Sequence, residues 1–184
     1  MSNFIKEYYR RKRIKDSVQV KAEFFTNLRD VESVSYVYNL VSPSDLADVM
    51  DVHTFLKWKN VKIRALLIES KKDLLLKDDN IEAIRSENGI HIVGYNELDW
   101  LGDLKKDVAS DYFETESNLF INFNSDPNYT LSRVAQRVKA SMKCGMRNED
   151  GIPYNLIVGD KDGAVLGNIE YLTQIFHYLK VFNK

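Results

Sequence analysis

Apolar residues recur along the chain with two spacings, and these spacings predict strands and helices in alternation. Alternating or continuous apolar runs predict strands in ESVSYVYNLV, VKIRALLIE, GIHIVGY, NLFINFNS, MKCGMR and YNLIVGD. The run in VKIRALLIE is nearly continuous from Ala65 to Ile68, which is typical of a strand covered on both faces. A further segment, VQVKAEFF, is predicted as a short strand or an extended arm.

Helices are predicted between these strands from apolar residues on one face. Ser42-Pro43-Ser44-Asp45 predicts a helix start, because Ser42 can accept a free backbone N–H, Pro43 suits the first position and Asp45 meets the positive helix end. That helix should end near Asn60. Further helices are predicted in KKDLLLKDDNIEAIRSENG, TLSRVAQRVKASM and NIEYLTQIFHYLKVF, with a packed loop and a short helix in NELDWLGDLKKDVASDYFETES.

Strands that alternate with helices predict an α/β fold. We expect a three-layer, Rossmann-like, mostly parallel sheet of five or six strands with helices on both faces. Residues 1–16 are predicted to form a basic amphipathic N-terminal helix, and residues 17–184 a single α/β domain. Ligands of such sheets bind beyond the carboxyl ends of strands, so the loops after Asn39, Glu69, Tyr95 and Phe123 are of most interest.

Composition narrows the class of protein. The 184 residues suit one domain with a core of its own. The lone Cys144 has no partner for an internal disulfide or a cysteine-based zinc site, which favours a reducing compartment, and we expect a cytoplasmic protein. The chain shows neither the apolar core of a secretory signal nor an apolar run long enough for a transmembrane segment.

The net charge of −1 hides an asymmetry. Residues 1–22 carry seven Lys/Arg against two acidic residues, a charge of +5, which leaves −6 for the rest of the chain. In the first helix two aromatic rings are followed by four cations, and the candidate partner-binding residues are Tyr8, Tyr9, Arg10, Arg11, Lys12 and Arg13. This pattern suits a protein partner, RNA or a ribonucleoprotein, peripheral contact with an anionic membrane, or a second copy of the chain.

Polar residues near the predicted strand ends are candidate ligand-binding residues. They are Ser42, Ser44, Asn122, Asn124, Asp126 and Arg147, whose hydroxyl, amide and guanidinium groups suit a phosphate-type or nucleotide-type ligand. The same residue types also serve as helix caps and turn residues. Because no glycine-rich phosphate loop and no metal-ligand spacing such as HxxxH occurs, no catalytic residue, metal or cofactor is predicted.

Several segments together carry a resemblance to a known family. They are the basic first helix, NELDWLG, DYFETESNLFINFNSDPNYTLSRVAQRVKASMKCGMR and EYLTQIFHYLK. In these segments, which span most of the chain, the protein resembles a family of short bacterial α/β proteins known only as a domain of unknown function. That resemblance implies no activity or cofactor. More loosely, Asn-x-Asn-x-Asp, a helix and Lys-x-Gly-x-Arg resemble halves of nucleotide-sugar glycosyltransferases, although no donor-binding signature accompanies them.

Two functions are therefore predicted. The first is a non-catalytic binding or accessory protein that contacts a macromolecular partner through its basic first helix. The alternative is a small ligand-binding or transferase-like domain with a phosphate-type or nucleotide-type ligand at the carboxyl ends of the strands.

Overall fold

Six parallel strands form one sheet in the described part of the chain. A computed structural model describes residues 3–17, 20, 31–72, 84, 87–149, 151–159 and 166–181. The strands are β1 (Ser33–Leu40), β2 (Lys62–Glu69), β3 (Ile90–Val93), β4 (Ser117–Phe123), β5 (Ala140–Gly145) and β6 (Leu156–Ile157). Their order is β3-β2-β1-β4-β5-β6, with every neighbouring pair parallel, so the predicted α/β class is confirmed.

The strand order reverses between β1 and β4. From this pair the chain builds the sheet outward on one side through β2 and β3, and on the other side through β5 and β6. In register, Tyr36 of β1 lies opposite Ala65 of β2 and Ile121 of β4. A reversal of this kind opens a crevice at the carboxyl ends of the two central strands.

Five α-helices lie in the described ranges: α1 (Asn3–Asp16), α2 (Asp45–Trp58), α3 (Ser110–Glu114), α4 (Tyr129–Arg137) and α5 (Asn168–Val181). Apolar residues of α2 and α5 pack on one sheet face with the side chains of Tyr36, Leu67 and Ile121. Those of α3 and α4 pack on the other face with Val37 and Phe120. The sheet is thus the middle layer of three, which explains why its strands read as apolar runs.

The start of α2 differs from the prediction. The helix begins at Asp45, and the Ser42 hydroxyl accepts no backbone N–H among the described residues, although the Ser42 carbonyl accepts the Asp45 N–H at 3.2 Å. Instead the Asp45 carboxylate accepts the N–H groups of Val41 (2.7 Å) and Ser42 (3.0 Å), and the Ser42 hydroxyl donates to it at 2.9 Å. A carboxylate is a stronger acceptor than a hydroxyl, so the Asp45 side chain and not that of Ser42 organises the turn that leads into the helix.

Two predicted elements lie mostly outside the described residues. They are the strand or arm in VQVKAEFF, of which only Val20 is described, and the helix after β2. Gly89, the last residue of the segment in which that helix is predicted, has a left-handed backbone with φ +87°. Within the described ranges, none of the helices combines the length and the apolar character needed to cross a membrane.

Candidate functional site

A central cleft lies at the reversal of strand order. Its volume is about 400 Å³. It is lined by the carboxyl ends of β1 and β4, by the residues that follow them and by the start of α5. Its lining includes Tyr38, Asn39, Asn124, Asp126, Asn128 and Asn168. Asn128 caps α4 by accepting the N–H of Leu131 at 3.2 Å, which fixes the loop after β4 against the cleft. The volume is within the range of small-molecule sites.

The six candidate ligand-binding residues do not form one group. Asn124 and Asp126 line the central cleft. Ser42 and Ser44 bond to each other at 2.7 Å in the turn before α2 and do not line it.

The other two candidates also lie outside the lining. Asn122 is fully buried and donates Nδ2 to the hydroxyl of Tyr154 at 2.6 Å, while its Oδ1 has no partner among the described residues. Arg147 has a buried Nε that likewise finds no partner in the described part of the chain.

A second cleft, the lateral cleft, lies beside the first and shares Pro127 and Asn128 with it. It holds about 560 Å³, and its walls include Lys6 and Arg10 of α1 together with Tyr95, Trp100 and Tyr129. The guanidinium of Arg10 lies 4.9 Å from the centre of the Tyr129 ring, and its Nε donates to the carbonyl of Leu101 at 2.7 Å. Asp99 also lines this cleft but pairs with Arg13, so the lateral cleft is basic and aromatic, and α1 forms one of its walls.

Helix α1 is held on the domain by its cations. Arg13 Nη1 lies 2.7 Å from Asp99 Oδ2 and 3.5 Å from Asp103 Oδ2. Asp103 is 5% exposed and also pairs with Arg133 at 2.9 Å, and with Arg137 at 3.7 Å. Two of the predicted partner-binding cations, Arg10 and Arg13, thus face the domain.

The ion pair changes the titration of Asp99. Burial acts to raise the pKa of Asp99, but the hydrogen bonds from Arg13 and from the N–H groups of Asp103 and Leu101 outweigh it, so this pKa lies below its ordinary value. The hydrogen bond to Asp99 also raises the pKa of Arg13. Both side chains therefore stay charged at neutral pH.

The aromatic side of α1 faces outward. None of its residues is buried, and the Tyr8 and Tyr9 rings meet edge to face with centroids 5.5 Å apart. Tyr9 meets Trp100 in the same way at 5.8 Å, and Trp100 is 51% exposed. We call Tyr8, Tyr9 and Trp100, with the exposed cations Arg11 and Lys12, the basic-aromatic face.

Trp100 lines two depressions. One is the lateral cleft, and the other is a depression of about 360 Å³ lined by Lys12, Arg13 and Leu101, among others. The indole ring therefore shares the first with Lys6, Arg10 and Asp99, and the second with Lys12, Arg13 and Asp16. This arrangement can hold a flat aromatic group on the ring and anionic groups in the two depressions.

Cys144 is buried at the centre of the molecule. Its side chain is 0% exposed, and burial raises the pKa of the thiol well above its usual range, so it is not a reactive nucleophile. Within the described ranges, His, Cys, Asp and Glu form no group of three or more that could hold a metal ion.

Sequence reasoning did not identify several residues of these clefts. Trp100 belongs to the segment predicted as a packed loop and is not among the candidate residues, although a tryptophan, with an apolar ring and a polar N–H, is a usable signal for a binding surface. Lys6 and Tyr129 belong to the lateral cleft, and Asn39 and Asn168 to the central cleft. Asn168 comes from the last described helix, so no local pattern could have joined it to β1.

Among the comparisons with known proteins, only the family models gave a match. A family model described as "Family of unknown function (DUF6913)" matches residues 2–182. Neither the curated proteins nor the solved structures gave a match. No activity is therefore available to transfer, and function has to be argued from the clefts and from α1.

Proposed function

The chain belongs to the DUF6913 family, whose function is unknown, and we propose that this protein is a non-catalytic binding protein that contacts single-stranded RNA through its basic-aromatic face. The observation that carries the proposal is the position of Trp100, a half-exposed ring that lines two depressions, each with two cations in its lining. Proteins that bind single strands combine stacking rings with cations that follow the phosphates. A cytoplasmic location is part of the proposal.

The orientation of α1 supports RNA over the other partners considered. Arg10 and Arg13 are engaged by the domain, while Arg11 and Lys12 remain exposed together with the Tyr8 and Tyr9 rings. Trp100, which comes from outside α1, adds a third exposed ring at the same surface. Exposed rings from two elements, with exposed cations on the same helix, instead suit the repeating base and phosphate of a strand.

The test uses the two tryptophans of the chain as a matched pair. Trp58 is 79% exposed on α2, with the Lys59 ammonium 5.1 Å from its ring centre, so it resembles Trp100 in exposure and charge but lies outside both depressions beside Trp100. Binding of a fluorescein-labelled single-stranded RNA of about 12 nucleotides is followed by anisotropy. We expect Trp100→Ala to weaken binding roughly tenfold or more, and Trp58→Ala to leave it unchanged.

Salt dependence gives an independent readout. Lys12→Ala should weaken RNA binding and lower the slope of log K against log salt by about 1, because one phosphate contact is lost.

Equal effects of the two tryptophan variants would overturn the proposal. So would binding to phosphatidylserine vesicles in place of RNA, or a Trp100-dependent dimer seen by light scattering.

A second candidate function is binding of a phosphate-type or nucleotide-type small ligand at the carboxyl ends of the strands. The lateral cleft favours it, because Lys6 and Arg10 lie beside Tyr95 and Tyr129 there. Competition with uridine monophosphate distinguishes the two functions. If uridine monophosphate binds as tightly as the RNA and displaces the RNA completely, binding of a small ligand is the better assignment.

A further inference from the structure

The central cleft differs from the lateral cleft in charge. No Lys, Arg or His among the described residues lines it, whereas Asp45 and Asp126 do. The Asp45 carboxylate already accepts the N–H groups of Val41 and Ser42 and the Ser42 hydroxyl. The described lining therefore has no cation that could pair with a phosphate. Its two carboxylates carry the same sign of charge as a phosphate and would repel it, so an anionic ligand fits poorly.

Four asparagines line this cleft, and in each of them only one of the two polar atoms of the side-chain amide has a hydrogen-bond partner among the described residues. Asn39 accepts the Ser70 hydroxyl with Oδ1, and Asn128 accepts the Leu131 N–H with Oδ1. In both residues Nδ2 is left as a donor with no partner in the described part of the chain.

In the other two asparagines the amide nitrogen is paired and the amide oxygen is left. Asn124 donates Nδ2 to Glu149 at 3.0 Å, and Asn168 donates Nδ2 to the Tyr38 hydroxyl at 3.1 Å. Each therefore leaves Oδ1 as an acceptor that no described residue satisfies. Asn124 is only 4% exposed, so its Oδ1 depends on the cleft for a partner.

The cleft also has an aromatic wall. The rings of Tyr38 and Phe123 lie 5.9 Å apart at 42°, and both line the cleft. Their contact, with the Tyr38 hydroxyl held by Asn168, gives the wall a fixed shape beside the four amides. Flat rings next to amide groups suit a ligand with an apolar face and a hydroxylated rim.

We propose that the central cleft binds a neutral polyhydroxylated ligand of about the size of a monosaccharide. Each hydroxyl both donates and accepts, so it can pair with the free Nδ2 groups of Asn39 and Asn128 and with the free Oδ1 atoms of Asn124 and Asn168. The C–H face of the ring packs on Tyr38 and Phe123. A neutral ligand avoids repulsion by Asp45 and Asp126.

The test compares neutral and phosphorylated forms of the same rings. Glucose, ribose and myo-inositol are each titrated against the full chain by saturation-transfer NMR, together with glucose 6-phosphate and ribose 5-phosphate. At least one neutral compound should bind saturably in the millimolar range. Its phosphorylated form, where one is tested, should bind roughly tenfold more weakly, because the cleft repels the added charge.

Two asparagine variants locate the binding. Asn168→Ala removes one cleft acceptor at a half-buried position and should weaken the neutral ligand roughly threefold to tenfold. Asn148→Ala is the control, because Asn148 is exposed and does not line the cleft.

Trp100 does not line this cleft either, so Trp100→Ala should leave sugar binding intact, and the RNA proposal and this one can fail separately. The proposal is overturned if no neutral compound binds, if a phosphorylated form binds as tightly, or if Asn168→Ala has no effect.

Discussion

Arg13 Nη1 and Asp99 Oδ2 are 2.7 Å apart, and this contact joins α1 to the turn that carries Trp100. The other oxygen of the same carboxylate, Oδ1, accepts the N–H groups of Leu101 (2.8 Å) and Asp103 (2.9 Å). One side chain therefore shapes the turn and holds the helix. The Asp99 carboxylate therefore supports the meeting of Tyr9 with Trp100, on which the proposed RNA contact depends, together with the bond from Arg10 to the Leu101 carbonyl.

Replacing Asp99 by Asn should release α1 while keeping the turn. The amide oxygen still accepts the two N–H groups, but the nearer of the two carboxylates that pair with Arg13 loses its charge. We expect faster tryptic cleavage within α1 and a fall in the free energy of unfolding of less than about 1 kcal/mol, because the pair is partly exposed. Trp100 emission, read in a Trp58→Phe background, should shift as Tyr9 moves away.

Glu7→Gln is the matched control for Asp99→Asn. It removes the 3.3 Å ion pair between Glu7 and Arg11, which lies within α1 and is largely exposed. Cleavage rate and Trp100 emission should then stay as in the parent protein. Identical cleavage of the Asp99 variant and the control would show that α1 is held by other contacts.

Docking of α1 should persist at neutral pH and fail only in acid. The pKa of Asp99 in the folded protein lies below its ordinary value of 3.8, despite burial, because of the Arg13 and backbone hydrogen bonds. A carboxyl group with a lowered folded pKa stabilises the fold fully above its unfolded pKa, and that contribution disappears as pH falls through the folded pKa. Trp100 emission in Trp58→Phe should therefore change below about pH 4, and not in Asp99→Asn.

Much of the fold could be predicted from the sequence because its signals are local. The continuous apolar run of β2, the alternation in β4 and the one-sided spacing of α4 each specify an element without reference to distant residues. Alternation of strands and helices then favours parallel pairing. The loops after Asn39, Glu69, Tyr95 and Phe123, predicted to be of most interest, contribute residues to the two clefts.

The composition of the clefts could not be predicted in the same way. The spacing in α1 defines an aromatic stripe and cationic positions, but it does not say which side faces the domain. That orientation depends on Asp99 and Asp103, which are distant in sequence from Arg13. Likewise, the pairing of Asn168 with Tyr38 joins the last described helix to the first strand, and only the assembled fold brings them together.

Gly89→Ala should be strongly destabilising. Gly89 has φ +87°, and a Cβ there would lie 2.2 Å from the backbone carbonyl oxygen of Ile63 on β2, which cannot move away without disturbing the sheet. We expect a loss of at least about 2 kcal/mol in urea unfolding. The control is Gly167→Ala, where an added Cβ meets nothing within 4 Å, and the expected change is within about 0.5 kcal/mol. Equal losses in the two variants would contradict the strain argument.

Lys143 should make the stability of the protein rise in mild alkali. Its side chain is fully buried, and Nζ donates to the carbonyls of Val20 (2.6 Å) and Ala135 (2.7 Å). Burial lowers its pKa from 10.5 to about 8. Between these values the unfolded chain holds a proton that the folded chain has released, so the free energy of unfolding increases with pH.

The gain over this pH range is roughly 3 kcal/mol if Lys143 alone is considered. Other groups also titrate there, so the quantity to measure is the difference between the parent protein and Lys143→Met in urea unfolding at several pH values. The parent should gain stability relative to the variant as pH rises from about 8 to 10.5. A difference that stays constant across this range would mean that the buried ammonium is as well solvated in the folded protein as in water. The carbonyls of Val20 and Ala135 would then have to compensate fully for the loss of water.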